Sequence, residues 1–128
     1  PQVVKYMKKI LTFNLSRSAE AAVKRAAAVN KLGVTAVDKS LYDTALRDIS
    51  GSAVGSYAGE APDKSMIIMC GLGSGNMNSV LTMLKKSGAD ITYKAVLTET
   101  NASWTPIKMF EEMERERLAI EQARLSNQ

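Results

Sequence analysis

The sequence contains no histidine and only one cysteine among its 128 residues. Without histidine it cannot form a Ser-His-Asp or Cys-His catalytic group, and it lacks the most common ligand of zinc and iron sites. The lone thiol of Cys70 cannot form an internal disulfide or a redox pair, and its apolar neighbours predict a buried side chain. We therefore expect no catalytic residue, no metal and no cofactor.

Long apolar runs are also missing. No stretch approaches the roughly 20 apolar residues of a membrane-spanning helix. The start of the chain mixes lysines with a strand-like pattern, unlike the apolar run of a signal peptide. Together with the single cysteine, this predicts a cytoplasmic protein without a membrane partner. Because Met7-Lys8-Lys9 resembles a translation start, residues 1–6 are interpreted as an extension ahead of it.

Aromatic residues are scarce, at 5% of the chain. The formal net charge is +4, and the basic excess lies in residues 1–48, with nine Lys and Arg against four Asp and Glu. Nucleic-acid-binding modules usually combine denser basic clusters with aromatics, so nucleic acid is a disfavoured partner. RNA binding through the basic N-terminal half stays open as an alternative. That alternative would use Lys8, Lys9, Arg17, Lys24, Arg25 and Lys31.

The composition is otherwise that of a globular protein, with 45% apolar and 23% charged residues. The length suits one domain, which buries roughly two thirds of the surface that its unfolded chain exposes. Strand and helix patterns alternate in the same order in residues 9–50 and 65–118. We interpret residues 1–128 as one domain with two similar halves, as in a structural duplication, joined by a loop at 51–64.

Four segments have strand patterns, at residues 9–15, 34–37, 66–72 and 91–98. Residues 66–72 are apolar on both faces and are predicted to be central in a sheet. In 9–15, Leu11 and Phe13 share one face and Thr12 lies on the polar face. Residues 91–98 alternate in the same way, with Lys94 on the polar face. Each of these two segments therefore predicts a half-buried strand.

Helical patterns lie between and after these strands. Ser16 or Ser18 is predicted to cap the first helix and Gly33 to end it. A short helix is predicted at 42–49, and a helix that follows the third strand is predicted to end at Gly88. Thr105-Pro106 predicts the start of the last helix, which runs to about residue 125.

Two βαβ units can be arranged in two ways. One-faced strands favour an α+β two-layer sandwich, in which a four-stranded sheet carries two main helices on one side, as in the ferredoxin-like split βαβ fold. The alternative is a three-layer α/β fold with a parallel sheet, which requires most strands to be buried on both faces. We predict the two-layer arrangement.

A glycine-rich turn, Gly71-Leu72-Gly73-Ser74-Gly75-Asn76, lies between a strand and a helix. Backbone N–H groups at a helix N-terminus favour anions, so Gly73, Ser74, Gly75 and Asn76 are candidate phosphate ligands. The motif is incomplete, because a dinucleotide-binding loop has glycine where Asn76 stands. A simple strand-to-helix turn, capped by Ser74 or Asn76, explains the same residues.

The most distinctive stretch is Lys94-Ala95-Val96-Leu97-Thr98-Glu99-Thr100-Asn101-Ala102-Ser103-Trp104-Thr105. Its polar groups could form the edge of a pocket in which Lys94 contacts an anionic small ligand. The same residues could instead bond to loop backbone, while Trp104 covers the edge of the core. The candidate binding residues are Lys94, Thr98, Thr100, Asn101 and Trp104.

The pattern Lys-Ala-Val-Leu-Thr-x-Thr-Asn-x-x-Trp-Thr at 94–105, followed by a charged helix, resembles the bacterial family called domain of unknown function 3783. The resemblance covers about residues 66–117, and 37–42 is similar to the region that often precedes that domain. It implies a folded cytoplasmic bacterial domain with 94–104 as its signature. It implies no catalytic residue.

These observations favour a non-enzymatic regulatory module that binds a small ligand or a protein. An enzyme is disfavoured, since Lys94 and Thr98 lie four residues apart on a strand, or about 13 Å, too far for direct contact. A homodimer is a further alternative, formed through an edge strand or through the C-terminal helix. That helix has too few apolar residues beyond Leu118 to form a core of its own.

Overall fold

The structure is a computed structural model that describes residues 8–51 and 53–127. The strands are β1 (Lys9–Phe13), β2 (Gly33–Ala36), β3 (Met66–Cys70) and β4 (Tyr93–Val96). The α-helices are α1 (Arg17–Val29), α2 (Ser74–Ser87) and α3 (Pro106–Ser126). Short 3-10 helices lie at Lys39–Leu41, Leu46–Asp48 and Asn101–Ser103. The predicted extension at residues 1–6 lies outside the described residues.

Side-chain caps and a glycine set the ends of the helices. Ser16 caps α1, because its hydroxyl accepts the Ala19 N–H at 3.2 Å. Thr105 caps α3 in the same way and Pro106 occupies the first turn, where its missing N–H costs nothing. Gly88 ends α2 with φ +71°, a left-handed conformation that glycine adopts without strain. These bounds confirm the predicted caps of α1 and α3 and the stop of α2.

Two predicted local features are wrong. Gly33 does not end α1 but belongs to β2; α1 ends at Val29, with Asn30 as its C-cap. The helix predicted at 42–49 is reduced to a single 3-10 helix at Leu46–Asp48. In an α-helix the Leu46 N–H would bond to the Tyr42 carbonyl. Here the Leu46 N–H donates to the Trp104 carbonyl at 2.8 Å and the Tyr42 carbonyl accepts from Ile107, so the start of α3 takes both groups.

The four strands form one mixed sheet in the order β2-β1-β3-β4. β1 pairs in parallel with β2 and β3 with β4, while the two central strands β1 and β3 are antiparallel. The sheet is thus built from two βαβ units, as predicted, within an α+β fold. The ferredoxin-like order is not found, because the two strands of each unit are neighbours rather than split by a third strand. The parallel sheet of the alternative is not found either.

Both faces of the sheet are buried, so the two-layer description is incomplete. On one face, residues such as Ile10, Ile67 and Met69 pack under α1 and α2, and we call this cluster the first core. On the other face, residues such as Leu11 and Ile68 pack under α3 and the 3-10 segments, and we call this cluster the second core. The third layer is made of α3 and of the irregular chain between β2 and β3, whose apolar residues do not have the period of one long helix.

Thr12 shows why β1 was predicted to be half-buried. It faces α1 and is buried, although its type and position suggested a solvent face. Its hydroxyl donates to the Glu20 carboxylate at 3.2 Å, which satisfies the polar group inside the first core. A buried threonine with a helix partner therefore has the same sequence pattern as an exposed one.

The loop predicted at 51–64 contains no helix or strand in its described residues, 51 and 53–64. It nevertheless packs on the second core through Tyr57 and Ala61. Gly55 approaches residue 40 closely, since its N–H donates to the Ser40 hydroxyl at 2.9 Å. A Cβ at Gly55 would collide with the Ser40 carbonyl oxygen, so no other residue fits there without movement.

The far end of α3 extends beyond the cores. Leu118, Ile120 and Leu125 are 49%, 63% and 57% exposed. Within 8–51 and 53–127, no helix has the length and apolar character that crossing a bilayer requires. A homodimer through this end of α3 stays a prediction, as does the division of the chain into two similar halves.

Phe110 anchors α3 to the sheet. Its ring lies 5.9 to 6.2 Å from the rings of Phe13, Tyr42 and Tyr93 in tilted and edge-on arrangements. Such aromatic pairs contribute beyond the area that they bury. One residue of α3 thus contacts β1, β4 and the segment between β2 and β3.

We expect Phe110→Ala to lower the free energy of unfolding by about 3 to 5 kcal/mol, because it leaves a cavity where three aromatic rings meet. Urea denaturation monitored by circular dichroism measures this loss. Leu118→Ala on the same helix is the control, with an expected change within about 0.5 kcal/mol at an exposed position. A loss for Phe110→Ala that is as small as the change for the control would show that Phe110 does not anchor α3.

Candidate functional site

β4 is an edge strand, with β3 as its partner. Its predicted alternation is confirmed, since Tyr93 and Ala95 are buried in the second core while Lys94 and Val96 are exposed. Lys94 and Val96 lie opposite Ile67 and Met69, residues of the first core, so their side chains lie on the α1–α2 side of the sheet. The outer edge of β4 therefore borders solvent.

The backbone of β4 divides its amides between β3 and the open edge. The N–H of Tyr93 donates to the Ser65 carbonyl at 3.0 Å, and the N–H of Leu97 donates to the Met69 carbonyl at 2.9 Å. Successive residues of a strand present their N–H groups to opposite sides, so the amides of Lys94 and Val96 point away from β3. The edge thus presents donors and acceptors at a two-residue spacing.

Helix α3 forms a wall beside this edge. One cavity of about 480 Å³ lies between Lys94 and Val96 of the strand and Met109, Met113 and Ala119 of the helix. A second cavity, of about 190 Å³, shares Lys94, Met113 and Glu116 with the first and continues past Thr92 and Ile120. We call the two adjoining cavities the edge groove. It follows the whole length of β4.

Asn101 closes one end of the edge groove. Its side-chain oxygen accepts the Thr98 N–H at 2.9 Å, and its side-chain nitrogen donates to the Val96 carbonyl at 3.0 Å. Its own N–H donates to the Thr98 hydroxyl at 3.1 Å. The Asn101 amide group therefore bonds to the end of β4 as the backbone of a neighbouring strand would.

Trp104 lies at the same end, half-buried against the second core. The Lys108 ammonium lies 5.1 Å from its ring centroid, a cation–π distance. Glu112 lies near this ammonium, at 3.5 Å, and bonds to Arg115 at 2.7 Å. Apolar and aromatic surface thus forms this end of the groove, and exposed ion pairs form its rim.

The structure brings together three of the five predicted binding residues. Lys94, Asn101 and Trp104 all line the 480 Å³ cavity. Thr98 and Thr100 lie in the turn beyond β4, where Thr98 bonds to Asn101 and Thr100 is exposed. The segment therefore both borders a cavity and bonds to its own loop backbone.

Sequence reasoning missed the wall that α3 contributes. Its lining residues include Met109, Met113, Glu116 and Ala119. Met109 and Met113 stand four residues apart on α3, so they lie on one face of the helix. The sequence did contain a signal. The apolar residues of α3 continue past Phe110, its last buried residue, to Met113 and Ala119, which indicates a helix face that extends beyond the edge of the sheet.

A polar network fixes α3 at the other end of β4. The Tyr93 hydroxyl donates to the Glu114 carboxylate at 2.8 Å, and Arg117 donates to the same carboxylate at 2.6 Å. The Arg117 guanidinium and then the Tyr93 hydroxyl lower the pKa of Glu114 from 4.5 to about 2. Burial first, and then the bond to Glu114, raises the pKa of Tyr93. This network joins the start of β4 to the middle of α3.

The glycine-rich turn lies away from the edge groove, at the start of α2. Gly73 is the N-cap residue and makes no side-chain cap bond, so neither Ser74 nor Asn76 is the cap. Asn76 donates to Asn30 at 3.1 Å, which ties α2 to the end of α1. The phosphate site at Gly73, Ser74, Gly75 and Asn76 stays a prediction.

Cys70 is buried in the second core, as predicted. Burial raises the pKa of its thiol from 9.0 to about 11. The thiolate, which is the reactive form, is therefore scarce at neutral pH.

Comparison with known proteins places part of the chain in a family. Residues 65–120 match the family model described as Domain of unknown function (DUF3783), which confirms the resemblance stated above. The matched segment contains β3, α2, β4 and most of α3, and so it contains the edge groove. None of the curated proteins and none of the solved structures matches the chain.

We expect Asn101→Ala to lower the free energy of unfolding by about 1 to 2 kcal/mol, because two backbone groups lose their side-chain partner. Asn101→Asp is the matched control, since it keeps the acceptor for Thr98 and loses only the donor to Val96. Its expected loss is smaller. Urea denaturation of both variants tests the order, and an equal loss would show that the Val96 bond carries the effect.

We expect nuclear magnetic resonance titration of the Glu114 carboxyl to give a pKa of about 2. A carboxyl with a lowered pKa stabilises the fold above its unfolded value of 4.5, and that stability is lost as the pH falls to about 2. Arg117→Gln should raise the Glu114 pKa most, and Tyr93→Phe should raise it less. A wild-type pKa near 4.5 would mean that the network does not form in solution.

Proposed function

We propose that this chain is a non-enzymatic binding module whose edge groove holds a segment of another protein. The observation that carries the proposal is the convergence of Lys94, Asn101 and Trp104 on a cavity of about 480 Å³. Lys94 comes from β4, Asn101 from the 3-10 helix that follows it, and Trp104 from the C-cap position of that helix. The groove combines apolar surface with a few polar groups, the combination typical of binding sites.

The shape of the groove favours a chain segment over a free metabolite. Small-molecule sites usually enclose most of the surface of their ligand. Here the cavity continues past Lys94 and Met113 into the second one, so the site is a trough along β4. An elongated ligand can contact the whole trough, whereas a compact one would fill only part of it.

The chemistry of the site supports binding rather than catalysis. The thiol of Cys70 lies in β3 outside the groove lining, and burial raises its pKa to about 11. Of the carboxylates that line the groove, Glu112 is paired with Arg115 and Glu116 is exposed. A regulatory role and a cytoplasmic location are part of the proposal, the latter supported by the single buried cysteine. RNA binding through the basic N-terminal half and a small anionic ligand stay predictions.

A random library of displayed twelve-residue peptides, selected against the immobilised chain, tests the proposal. We expect enriched peptides to bind Ala119→Glu at least roughly tenfold more weakly, because the new side chain places a charge inside the groove. Ala119 is exposed, so the variant leaves both cores unchanged. Fluorescence anisotropy of labelled peptides measures the affinities.

Ala123→Glu is the matched control, at an exposed alanine one helical turn further along α3 and outside the groove lining. It should bind the peptides as the wild type does. Failure of the library to yield a binder, or equal affinity for the two variants, would contradict the proposal.

A further inference from the structure

We infer that the ligand of the edge groove is an extended peptide that adds to β4 as a fifth strand, with an acidic residue opposite Lys94. This inference rests on the proposed function and specifies how the segment binds. It is carried by three features of the edge: its open backbone groups, the helix wall beside them, and the charge of Lys94 on the α1–α2 side.

The open backbone groups match those that a strand requires. The amides of Tyr93 and Leu97 bond on the β3 side, so the N–H groups of Lys94 and Val96 face the groove. The Lys94 carbonyl faces the same way, whereas the Val96 carbonyl is bonded to Asn101. An extended peptide can therefore exchange two hydrogen bonds with Lys94 and accept one from Val96.

The helix wall gives the groove the form of known strand-addition sites, in which a peptide lies between an edge strand and a neighbouring helix. A peptide residue opposite Lys94 would have its side chain on the α1–α2 side of the sheet, like that of Lys94 itself. Its two neighbours would point to the other side, where Met109, Met113 and Trp104 present apolar surface. The expected pattern is apolar, acidic, apolar.

The charge of Lys94 selects the acidic residue, because both side chains would lie on the α1–α2 side of the sheet. The ammonium of Lys94 donates to the Ile91 carbonyl at 3.4 Å and, within residues 8–51 and 53–127, forms no ion pair. Directly opposite residues of antiparallel strands stand about 4.5 to 5.5 Å apart at Cβ, within reach of an ion pair. A glutamate or aspartate there complements Lys94.

The same features disfavour a second copy of the chain as the ligand. Two β4 strands paired about Lys94 would place two lysines directly opposite each other, which is destabilising. Pairing centred on Ala95 would place Lys94 of one copy opposite Val96 of the other. The Lys94 N–H would then need the Val96 carbonyl as its acceptor, and that carbonyl is already bonded to Asn101. A charged residue and a blocked end are devices that keep edge strands from pairing with themselves. A different chain with an acidic centre meets neither obstacle.

Three nine-residue peptides test the inference. Each alternates threonine and valine, begins and ends with threonine so that valines flank the centre, and carries glutamate, glutamine or lysine at the central position. We expect the glutamate peptide to bind the wild-type chain roughly three- to tenfold more tightly than the lysine peptide. Lys94→Glu should reverse that order. Lys86→Glu, which changes an exposed lysine at the end of α2, is the matched control and should preserve it.

Amide hydrogen exchange, followed by nuclear magnetic resonance on the labelled full chain, provides the structural readout. The amides of Lys94 and Val96 should become protected when the glutamate peptide binds, since each would donate to the added strand. Protection at both amides together with the reversed order supports the inference.

The remaining outcomes contradict it. If the glutamate peptide binds without protection at those two amides, or if Lys94→Glu leaves the order unchanged, the added strand is wrong while the binding function stands. If none of the three peptides binds but library peptides do, the same conclusion holds. If no library peptide binds either, both the added strand and the proposed binding function are wrong.

Discussion

The antiparallel pairing of β1 with β3 is the constraint on which the rest of the structure depends. Both strands are buried on both faces, so the sheet needs two covering layers. The two βαβ units place α1 and α2 together on one face, which leaves the other face to segments outside the two crossover helices. That face is covered by the chain between β2 and β3 and by α3, and α3 lies beside β4 as it crosses the face. The edge groove follows from this arrangement.

The sequence predicts those parts of the fold that local chemistry determines. The caps at Ser16 and Thr105 and the stop at Gly88 depend on side chains within a few residues, and all three are confirmed. The alternation of β4 is equally local. The third layer could not be predicted, because Tyr42 and Leu46 give their backbone groups to the start of α3, a distant segment. The burial of Thr12 was mispredicted for the same reason, since Glu20, which bonds to its hydroxyl, lies on another element.

In the candidate site, too, the residues that are contiguous in sequence could be predicted and those brought in by packing could not. Lys94, Asn101 and Trp104 lie within one short stretch, so the amino-acid pattern by itself could indicate a site. The opposite wall comes from α3, and contacts distant in sequence, those of Phe110 and of Glu114 with Tyr93, place it beside β4. A site formed by two elements is therefore visible from the sequence only on the side where its residues are contiguous. The family resemblance covers both walls, yet it carries no activity that would have identified them.

The Asn101 side chain has a consequence for the alignment of an added strand. A shift of one residue along a strand moves every side chain to the opposite face, so an edge must specify its alignment to be selective. Because Asn101 already bonds to Val96 and Thr98, a partner chain has no open backbone group beyond Val96 and must end or turn away there. An end that is chemically filled therefore limits how far along β4 an added strand can pair, while the charge of Lys94 favours an acidic residue at the position opposite it. The selectivity of a four-residue strand would then come from one amide at its end together with one charge.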